Sequence, residues 1–189
     1  EEITFSGGTR DGRSTVWLTP EEKQEEKFYR SGKLDGPSTF WENGYRSTMT
    51  TYKSDSPEGP WVIWFSSSDQ IKEQGFHQKG IREGLTTYYY EDGTMQREGF
   101  FKEGLPDGQW TYWNKKGEKD FDFDFGSGLQ HISLEDLVER ESTFYKLGED
   151  TPFTGIITQE NPEADYLFLG RTKDGKKDGQ WVKWFPSGK

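Results

Sequence analysis

A five-residue phrase, Gly-x-x-acid-Gly, constrains the fold of this chain more than any other feature of its sequence. The phrase, or a version one substitution from it, occurs six times. The first five copies follow one another at steps of 24, 23, 25 and 24 residues. A fixed period of this size predicts a repeat array, in which every copy forms one unit of the same supersecondary structure. The closing glycines of the copies are Gly12, Gly36, Gly59, Gly84, Gly108 and Gly179.

Every copy also has an acidic residue directly before its closing glycine and a large aromatic residue five positions after it. We expect the acidic side chain to accept hydrogen bonds from turn amides, while the glycine adopts a left-handed conformation that a Cβ atom would strain. The acidic residues are Asp11, Asp35, Glu58, Glu83, Asp107 and Asp178. The aromatic residues are Trp17, Trp41, Trp64, Tyr89, Trp113 and Trp184.

Each unit divides further into two strand-like segments joined by a turn. Residues 121–125 read Phe-Asp-Phe-Asp-Phe, the alternation typical of a strand with one buried face. The turns at Asn43-Gly44 and Asp92-Gly93 have the dipeptides favoured in two-residue hairpin loops. The sequence therefore predicts an all-β fold, in which repeated β-hairpins form one elongated, twisted antiparallel meander sheet.

The repeat pattern breaks near Leu129, which divides the chain into two predicted domains. Residues 1–128 form a first array of about five hairpin repeats. Residues 129–189 begin with a short connector helix near residues 133–140, for which Ser133 is the predicted N-cap and Asp136 the acidic residue of the first turn. Lead-in strands follow, and the sixth copy of the phrase starts a second array with a turn at Ser187-Gly188.

The composition fits a thin repeat structure with a core of aromatic rings. Only 29% of residues are hydrophobic and the mean hydropathy is -1.05, values typical of disordered chains. The chain nevertheless has 8 Trp, 9 Tyr and 14 Phe, and each ring can bury about 150–250 Å². We therefore expect an ordered chain that buries few but large side chains.

Charge and residue content disfavour several classes of partner and chemistry. The net charge of -10 disfavours nucleic acids and anionic membranes as partners, since both attract basic surfaces. The sequence has no apolar run long enough for a transmembrane helix, and the absence of cysteine excludes disulfides and thiol catalysis. The chain starts at Glu1 without a methionine, so we expect a processed or trimmed chain whose signal peptide or lipid anchor would lie upstream.

Strand alternation sorts the side chains of each repeat onto two faces. Positions 3 and 5 after the closing glycine are uniform and are predicted to be the buried side. Positions 2, 4 and 6 vary, and they are richest in aromatic residues between residues 61 and 112. If these rings are exposed, they could stack on sugars or anchor a protein partner; the alternative is that the sheet buries them as its own core. The candidate binding face consists of Trp61, Phe65, Tyr88, Tyr90, Trp110 and Tyr112.

Candidate catalytic and metal-binding residues are sparse. His77 and His131 have no partners at ligand spacing, and the sequence has none of the common nucleophile or phosphate-loop motifs. The sequence therefore predicts a protein that is not an enzyme and has no cofactor, although a hydrolase that uses two carboxylates is a remaining alternative. Asp120, Asp122 and Asp124 share one strand face, where they could bind Ca²⁺ or form a solvated edge that prevents aggregation.

Three segments carry a resemblance to a known family: residues 80–93, residues 104–117 and residues 175–189, which begin Gly-Lys-Lys-Asp-Gly-Gln-Trp. They resemble the MORN repeat variant family of bacteria, and the resemblance covers roughly residues 8–128 and 144–189. Asp55, which replaces the first glycine of the third copy, departs from the pattern. The resemblance implies a repeat scaffold, often described as the antitoxin component of a toxin–antitoxin system, and it brings no active-site residues.

These observations lead to three hypotheses about function. The first is a non-catalytic scaffold that mediates protein–protein interaction in the bacterial cell envelope or outside the cell, with a periplasmic, cell-surface or extracellular location; a cytoplasmic location is the alternative. The second is a carbohydrate-binding module that uses the aromatic face. The third is a hydrolase built on carboxylates. The family resemblance also implies an antitoxin-like partner of a toxin as an alternative.

Overall fold

The computed structural model describes residues 1–186 of the 189-residue chain and confirms the all-β prediction. Apart from one short 3-10 helix, the regular structure consists of β-strands. The chain divides into two compact units, Glu1–Gly104 and Leu105–Lys189. The domain boundary predicted near residue 128 follows the repeat pattern and stays a prediction. The turn predicted at Ser187-Gly188 lies outside the described residues.

The first unit is an antiparallel meander, as the repeat pattern predicted. Its strands are hydrogen-bonded in the order β1-β2-β3-β5-β6-β7-β8-β10-β11, while the short strands β4 and β9 pair with β3 and β8. The strands are β1 (Glu2–Ser6), β2 (Thr9–Trp17), β3 (Lys23–Arg30), β4 (Lys33–Leu34), β5 (Gly36–Glu42), β6 (Tyr45–Lys53), β7 (Ser56–Trp64), β8 (Ile71–Gln78), β9 (Ile81–Arg82), β10 (Gly84–Tyr89) and β11 (Met95–Lys102).

The second unit contains a further hairpin and a smaller mixed sheet. Strands β12 and β13 form the hairpin, β15 pairs with β16, and β14 runs parallel to β17. Strand β18 is antiparallel to β17, β19 and β20. The strands are β12 (Leu105–Trp113), β13 (Lys119–Asp124), β14 (His131–Ser133), β15 (Leu137–Arg140), β16 (Thr143–Lys146), β17 (Gly155–Asn161), β18 (Tyr166–Lys173), β19 (Lys176–Lys177) and β20 (Val182–Trp184).

The acidic residue before the closing glycine links one repeat to the next. Glu58 Oε2 accepts the backbone N–H of Lys79 at 2.8 Å, and Glu83 Oε2 accepts that of Glu103 at 2.9 Å. Asp11 accepts the N–H of Ser31 in the same way. The donors begin left-handed turns about twenty residues further along the chain. The sequence predicted that these acids bind turn amides; the structure adds that the turn belongs to the following repeat.

One further link of this kind, in the second unit, did not match the sequence pattern because a threonine replaces the acidic residue. Thr154 Oγ1 accepts the N–H of Asp174 at 2.8 Å. The next amide, that of Gly175, donates to Phe153 O at 2.9 Å. The Gly80 amide makes the equivalent bond to Pro57 O in the first unit. The signal in the sequence is Thr154-Gly155, twenty residues before the turn at Asp174-Gly175.

An aromatic residue stands directly opposite each closing glycine of the first unit. The pairs are Gly12 with Tyr29, Gly36 with Tyr52, Gly59 with His77, and Gly84 with Phe101. These glycines have positive φ angles, and at Gly36 an added Cβ would lie 2.9 Å from Phe28 Cβ. The ring across the strand supplies the apolar surface that a glycine lacks.

The aromatic residue five positions after the glycine marks a β-bulge. In β2, β5, β7, β10 and β12 the pairing register shifts directly before it. Its partner on the return strand is a long side chain, and two of these partners place a cation against tryptophan rings. Lys23 Nζ lies 5.6 Å from the Trp17 ring centre and 5.4 Å from that of Trp41. The Arg46 guanidinium lies 4.8 Å from the Trp64 ring.

Burial corrects the predicted assignment of the two faces. Positions 3 and 5 were predicted to be the buried side, yet Trp17, Trp41 and Tyr89 are only half-buried. The residue at position 2, on the other face, is at most 4% exposed in five of the repeats. Both faces therefore bury side chains, and the core does not lie on one side of the sheet. The buried residues at position 2 are Ser14, Ser38, Trp61, Thr86 and Trp110.

Two local predictions also need correction. The helix predicted near residues 133–140 is a single 3-10 turn, Leu134–Asp136, and residues 137–140 belong to β15. Ser133 is its N-cap, as predicted, and accepts the N–H of Glu135. The loop at Asp92-Gly93 has three residues, because Tyr90 N donates to Thr94 O and Gly93 N donates to Tyr90 O.

No helix within residues 1–186 has the length and apolar character needed to span a membrane.

Replacement of the linking carboxylates should destabilise the array. We expect Glu58→Ala and Glu83→Ala each to lower the free energy of unfolding by about 1 kcal/mol, as loss of a capping side chain does. Glu→Gln at the same sites should retain most of the stability, since the amide oxygen can still accept the N–H. Urea denaturation measures the effect, and Glu42→Ala is the matched control. Equal stability of the Glu58→Ala, Glu83→Ala and Glu42→Ala variants would contradict the assigned bonds.

Candidate functional site

The six residues of the predicted aromatic face are mostly interior. Trp61, Tyr90, Trp110 and Tyr112 are at most 5% exposed. Phe65 and Tyr88 are half-buried. Trp61, Phe65, Tyr88 and Tyr90 belong to the first unit, while Trp110 and Tyr112 belong to the second. For four of the six, the structure has the burial that the sequence left as the alternative to a binding role.

In the second unit the rings pack against one another. Tyr112 stacks on Phe121 with a centroid distance of 4.4 Å and an interplanar angle of 5°, and it meets the edge of Trp184 at 5.2 Å. Trp110 makes an edge contact with Phe125 at 5.7 Å. Such pairs stabilise a core beyond their buried area. Trp110 and Tyr112 therefore act as core residues of this unit.

In the first unit two arginines cover the predicted rings, in what we term the arginine–aromatic cluster: Trp61, Glu73, Arg82, Tyr88 and Arg97. The Arg82 guanidinium lies 4.5 Å from the Trp61 ring centre, and that of Arg97 lies 4.2 Å from Tyr88. Arg82 also donates to the Tyr88 hydroxyl at 3.0 Å and to Glu73 Oε2 at 3.3 Å. Burial raises the pKa of Tyr88, against the effect of both arginines. The cluster thus occupies ring surface on which a sugar would stack.

His77 stands beside this cluster, at the position that other repeats give to Tyr29, Tyr52 and Phe101. Its ring centre lies 5.6 Å from that of Trp61. Its Nδ1 is buried and makes no hydrogen bond within residues 1–186. Burial lowers the pKa of His77, and the positive charge of Arg82 lowers it further. The ring therefore serves as a neutral packing group.

The three aspartates proposed as a weak Ca²⁺ site have separate partners. Asp120 accepts the indole N–H of Trp184, and Asp124 accepts the backbone N–H of Gly126. Asp122 pairs with Lys119 and accepts the Thr111 hydroxyl, and these hydrogen bonds lower its pKa. Among residues 1–186 no group of three His, Asp or Glu side chains could hold a metal ion.

The other predicted histidine is also a packing residue. His131 stacks on Phe125 at a centroid distance of 5.7 Å. Burial lowers its pKa, and the negative charge of Asp107 acts in the opposite direction. His77 and His131 lie in different units, so each has its own surroundings.

An exposed apolar row lies on the face of the first unit that is opposite the arginine–aromatic cluster. It consists of Pro60, Phe76, Leu85 and Phe100, and we call it the apolar row. Phe76 and Leu85 are each 45% exposed, and Phe100 is 57% exposed. Pro60 pairs with Phe76 and Leu85 pairs with Phe100 across neighbouring strands. Pro60, Phe76 and Leu85 line a groove of about 570 Å³.

Sequence reasoning missed this row because it compared positions 2 to 6 after each closing glycine. Pro60 and Leu85 are at position 1 of β7 and β10. Phe76 and Phe100 lie on the return strands β8 and β11. The signal was present: each occupies the position directly before the aromatic residue that faces a closing glycine. Strand alternation places such a neighbour on the opposite face.

No family model matches the chain, and no curated protein matches its sequence. On one face of the first unit, the arginine–aromatic cluster is filled by its own side chains. On the other face, the apolar row is open to solvent. The apolar row is the candidate functional site.

Replacement of His77 by the aromatic residue that other repeats use should remove one source of pH dependence. Because the folded state lowers the pKa of His77 below its ordinary value of 6.5, the unfolded chain binds the proton more readily at acidic pH. Stability from neutral His77 is therefore complete above pH 6.5 and is lost as the pH falls through the lowered folded-state pKa. His77→Phe should lose less stability than the wild type over this range.

Urea denaturation between pH 8 and pH 5 measures the difference. His131 is present in both proteins, so its titration cancels in the comparison. If the two proteins have the same pH profile, His77 is not held neutral by burial.

Proposed function

We propose that this protein is a non-catalytic repeat scaffold that binds another protein through the apolar row. The observation that carries the proposal is the 45–57% exposure of Phe76, Leu85 and Phe100 on neighbouring strands of one sheet. Large apolar side chains that lie together on a surface mark interaction sites more often than single exposed ones do.

The position of the row on a hydrogen-bonded sheet also supports a binding role. Strands β7, β8, β10 and β11 are continuous neighbours in the meander, and the bond between Glu83 and Glu103 N joins the turn after β9 to the turn after β11. A surface built on such strands is ordered before a partner arrives. Binding then requires less loss of conformational entropy than binding by a flexible loop.

The geometry gives less support to a carbohydrate-binding module. That function needs exposed ring faces, whereas Arg82 covers Trp61 and Arg97 covers Tyr88. An antitoxin-like role is a special case of the scaffold proposal, in which the partner is a toxin. The regular hairpins, one for each of the first five copies of the repeated phrase, support assignment of the array to MORN-like repeats, which we also propose.

Removal of two apolar side chains from the row should abolish partner binding without unfolding the protein. Peptides selected on the wild-type protein from a random displayed library should bind a Phe76→Ser, Leu85→Ser variant at least tenfold more weakly, measured by fluorescence anisotropy. Both side chains are nearly half exposed, so stability should change little.

The matched control is a Phe5→Ser, Leu18→Ser variant, which removes the same two residue types at sites that are 57% and 69% exposed. It should bind the selected peptides as the wild type does. If both double variants bind equally well, the apolar row is not the contact surface.

A further inference from the structure

An ordered series of charges runs beside the apolar row. In the first unit, the residue before each closing glycine is acidic. On the return strand, this acid faces the residue that follows the aromatic partner of the glycine. In three of the four repeats this second residue is basic. Because the strands are antiparallel, the acid and the residue that faces it form the next pair along the ladder after each glycine–aromatic pair. The acid–base combinations are Asp11 with Arg30, Asp35 with Lys53, and Glu83 with Lys102.

The third repeat breaks this alternation. Glu58 stands across from Gln78, one step beyond the pair formed by Gly59 and His77. On the other side of β8, Gln78 pairs with Ile81 of β9, and the backbone N–H of Glu83 donates to Phe76 O at 3.0 Å. Gln78 and Glu83 line the same groove. The neutral Gln78 therefore lies across from Glu58 and shares a groove with Glu83, where the pattern would supply a cation.

Glu58 and Glu83 have no cationic partner in the part of the chain that the structure describes. Glu58 and Glu83 each accept one backbone N–H, and neither makes an ion pair within residues 1–186. In contrast, Asp35 pairs with Arg30 at 3.3 Å. Lys79 follows Gln78 in the turn, where its backbone N–H binds Glu58; its ammonium group makes no ion pair within the described part of the chain.

This site and the apolar row form one surface. Gln78 and Glu83 line the same groove as Phe76 and Leu85. Glu58 lies two residues before Pro60 on β7, so strand alternation puts it on the same face. A groove with apolar walls, with Glu83 in its lining and Glu58 on the same face beside it, complements a segment that has both apolar and cationic side chains.

We infer that the partner segment that docks on the apolar row carries a lysine or arginine beside its apolar residues, and that this cation binds between Glu58 and Glu83. The inference rests on the proposed function, because the apolar residues of the segment occupy the row. The cation takes the place that Arg30, Lys53 and Lys102 occupy in the other repeats.

The test uses the full chain and three fluorescein-labelled twelve-residue peptides. They share the same leucine positions and carry lysine, glutamine or glutamate at the remaining variable positions. Fluorescence anisotropy at low salt should give a Kd for the lysine peptide that is lower by about 3- to 10-fold than that of the glutamine peptide, and the glutamate peptide should bind weakest. Increasing salt should reduce the preference for lysine.

Gln78→Lys is the decisive variant. It restores the residue type of the other repeats, so we expect it to fold, which its circular dichroism spectrum and Tm check. Its own ammonium should occupy the site and bring the Kd ratio of the lysine and glutamine peptides close to one. Lys102→Gln, which removes the cation on the other side of Glu83, should increase the ratio.

Gln24→Lys is the matched control for net charge, because Gln24 is an exposed residue of β3. It changes the protein charge as Gln78→Lys does, and it should leave the ratio unchanged. An equal effect of the two variants would mean that the peptide responds only to the overall charge of the protein, and the inferred site would be wrong.

The remaining outcomes separate the inference from the proposed function. If Phe76→Ser, Leu85→Ser abolishes peptide binding while Gln78→Lys leaves the ratio unchanged, the row binds a partner but the inferred cation site is wrong. If the double serine variant has no effect on peptide binding, the proposed function is wrong. If none of the peptides binds at millimolar concentration, the inferred chemistry of the segment is wrong.

Discussion

The hydrogen bond from a turn amide to the carboxylate of the preceding repeat is the interaction on which the array depends. A single β-hairpin has only marginal stability in water, so each hairpin needs its neighbour. The backbone ladder supplies part of that coupling. The bonds of Asp11, Glu58 and Glu83 add a side-chain link that spans about twenty residues. The same link made by Thr154 in the second unit shows that the oxygen acceptor, not the charge, is the structural requirement.

Once the hairpins are fixed, strand alternation gives the two faces of the sheet different tasks. On one face the arginines lie on aromatic rings, where Arg82 contacts Trp61 and Tyr88, and this packing replaces a conventional aliphatic core. On the other face the apolar row stays exposed. Because both faces of the sheet bury other side chains, these four residues can stay exposed without loss of the fold, and they are available for a partner.

Much of the architecture could be predicted because it depends on local rules. The period of the phrase predicted the hairpins, and the glycines predicted left-handed turns such as Asn43-Gly44, whose φ angles are 52° and 82°. The helix near Ser133 was predicted too long, because a capping residue and a few apolar positions cannot show that β15 pairs with β16 instead. The sequence left open whether the rings of the aromatic face are buried, since exposure depends on which long side chains from neighbouring strands cover a ring.

The sequence by itself determined the repeat, the turns and the side chains that alternate along each strand, because these properties depend on residues within one hairpin. Only the tertiary structure decided which rings are buried and which apolar residues are exposed. Trp61 is interior because Arg82 and His77, from other strands, lie against it, whereas Phe76 and Leu85 remain open to solvent. The register of the sheet also brings Gln78 across from Glu58 and into one groove with Glu83, and these residues are too far apart in the sequence for local rules to relate them.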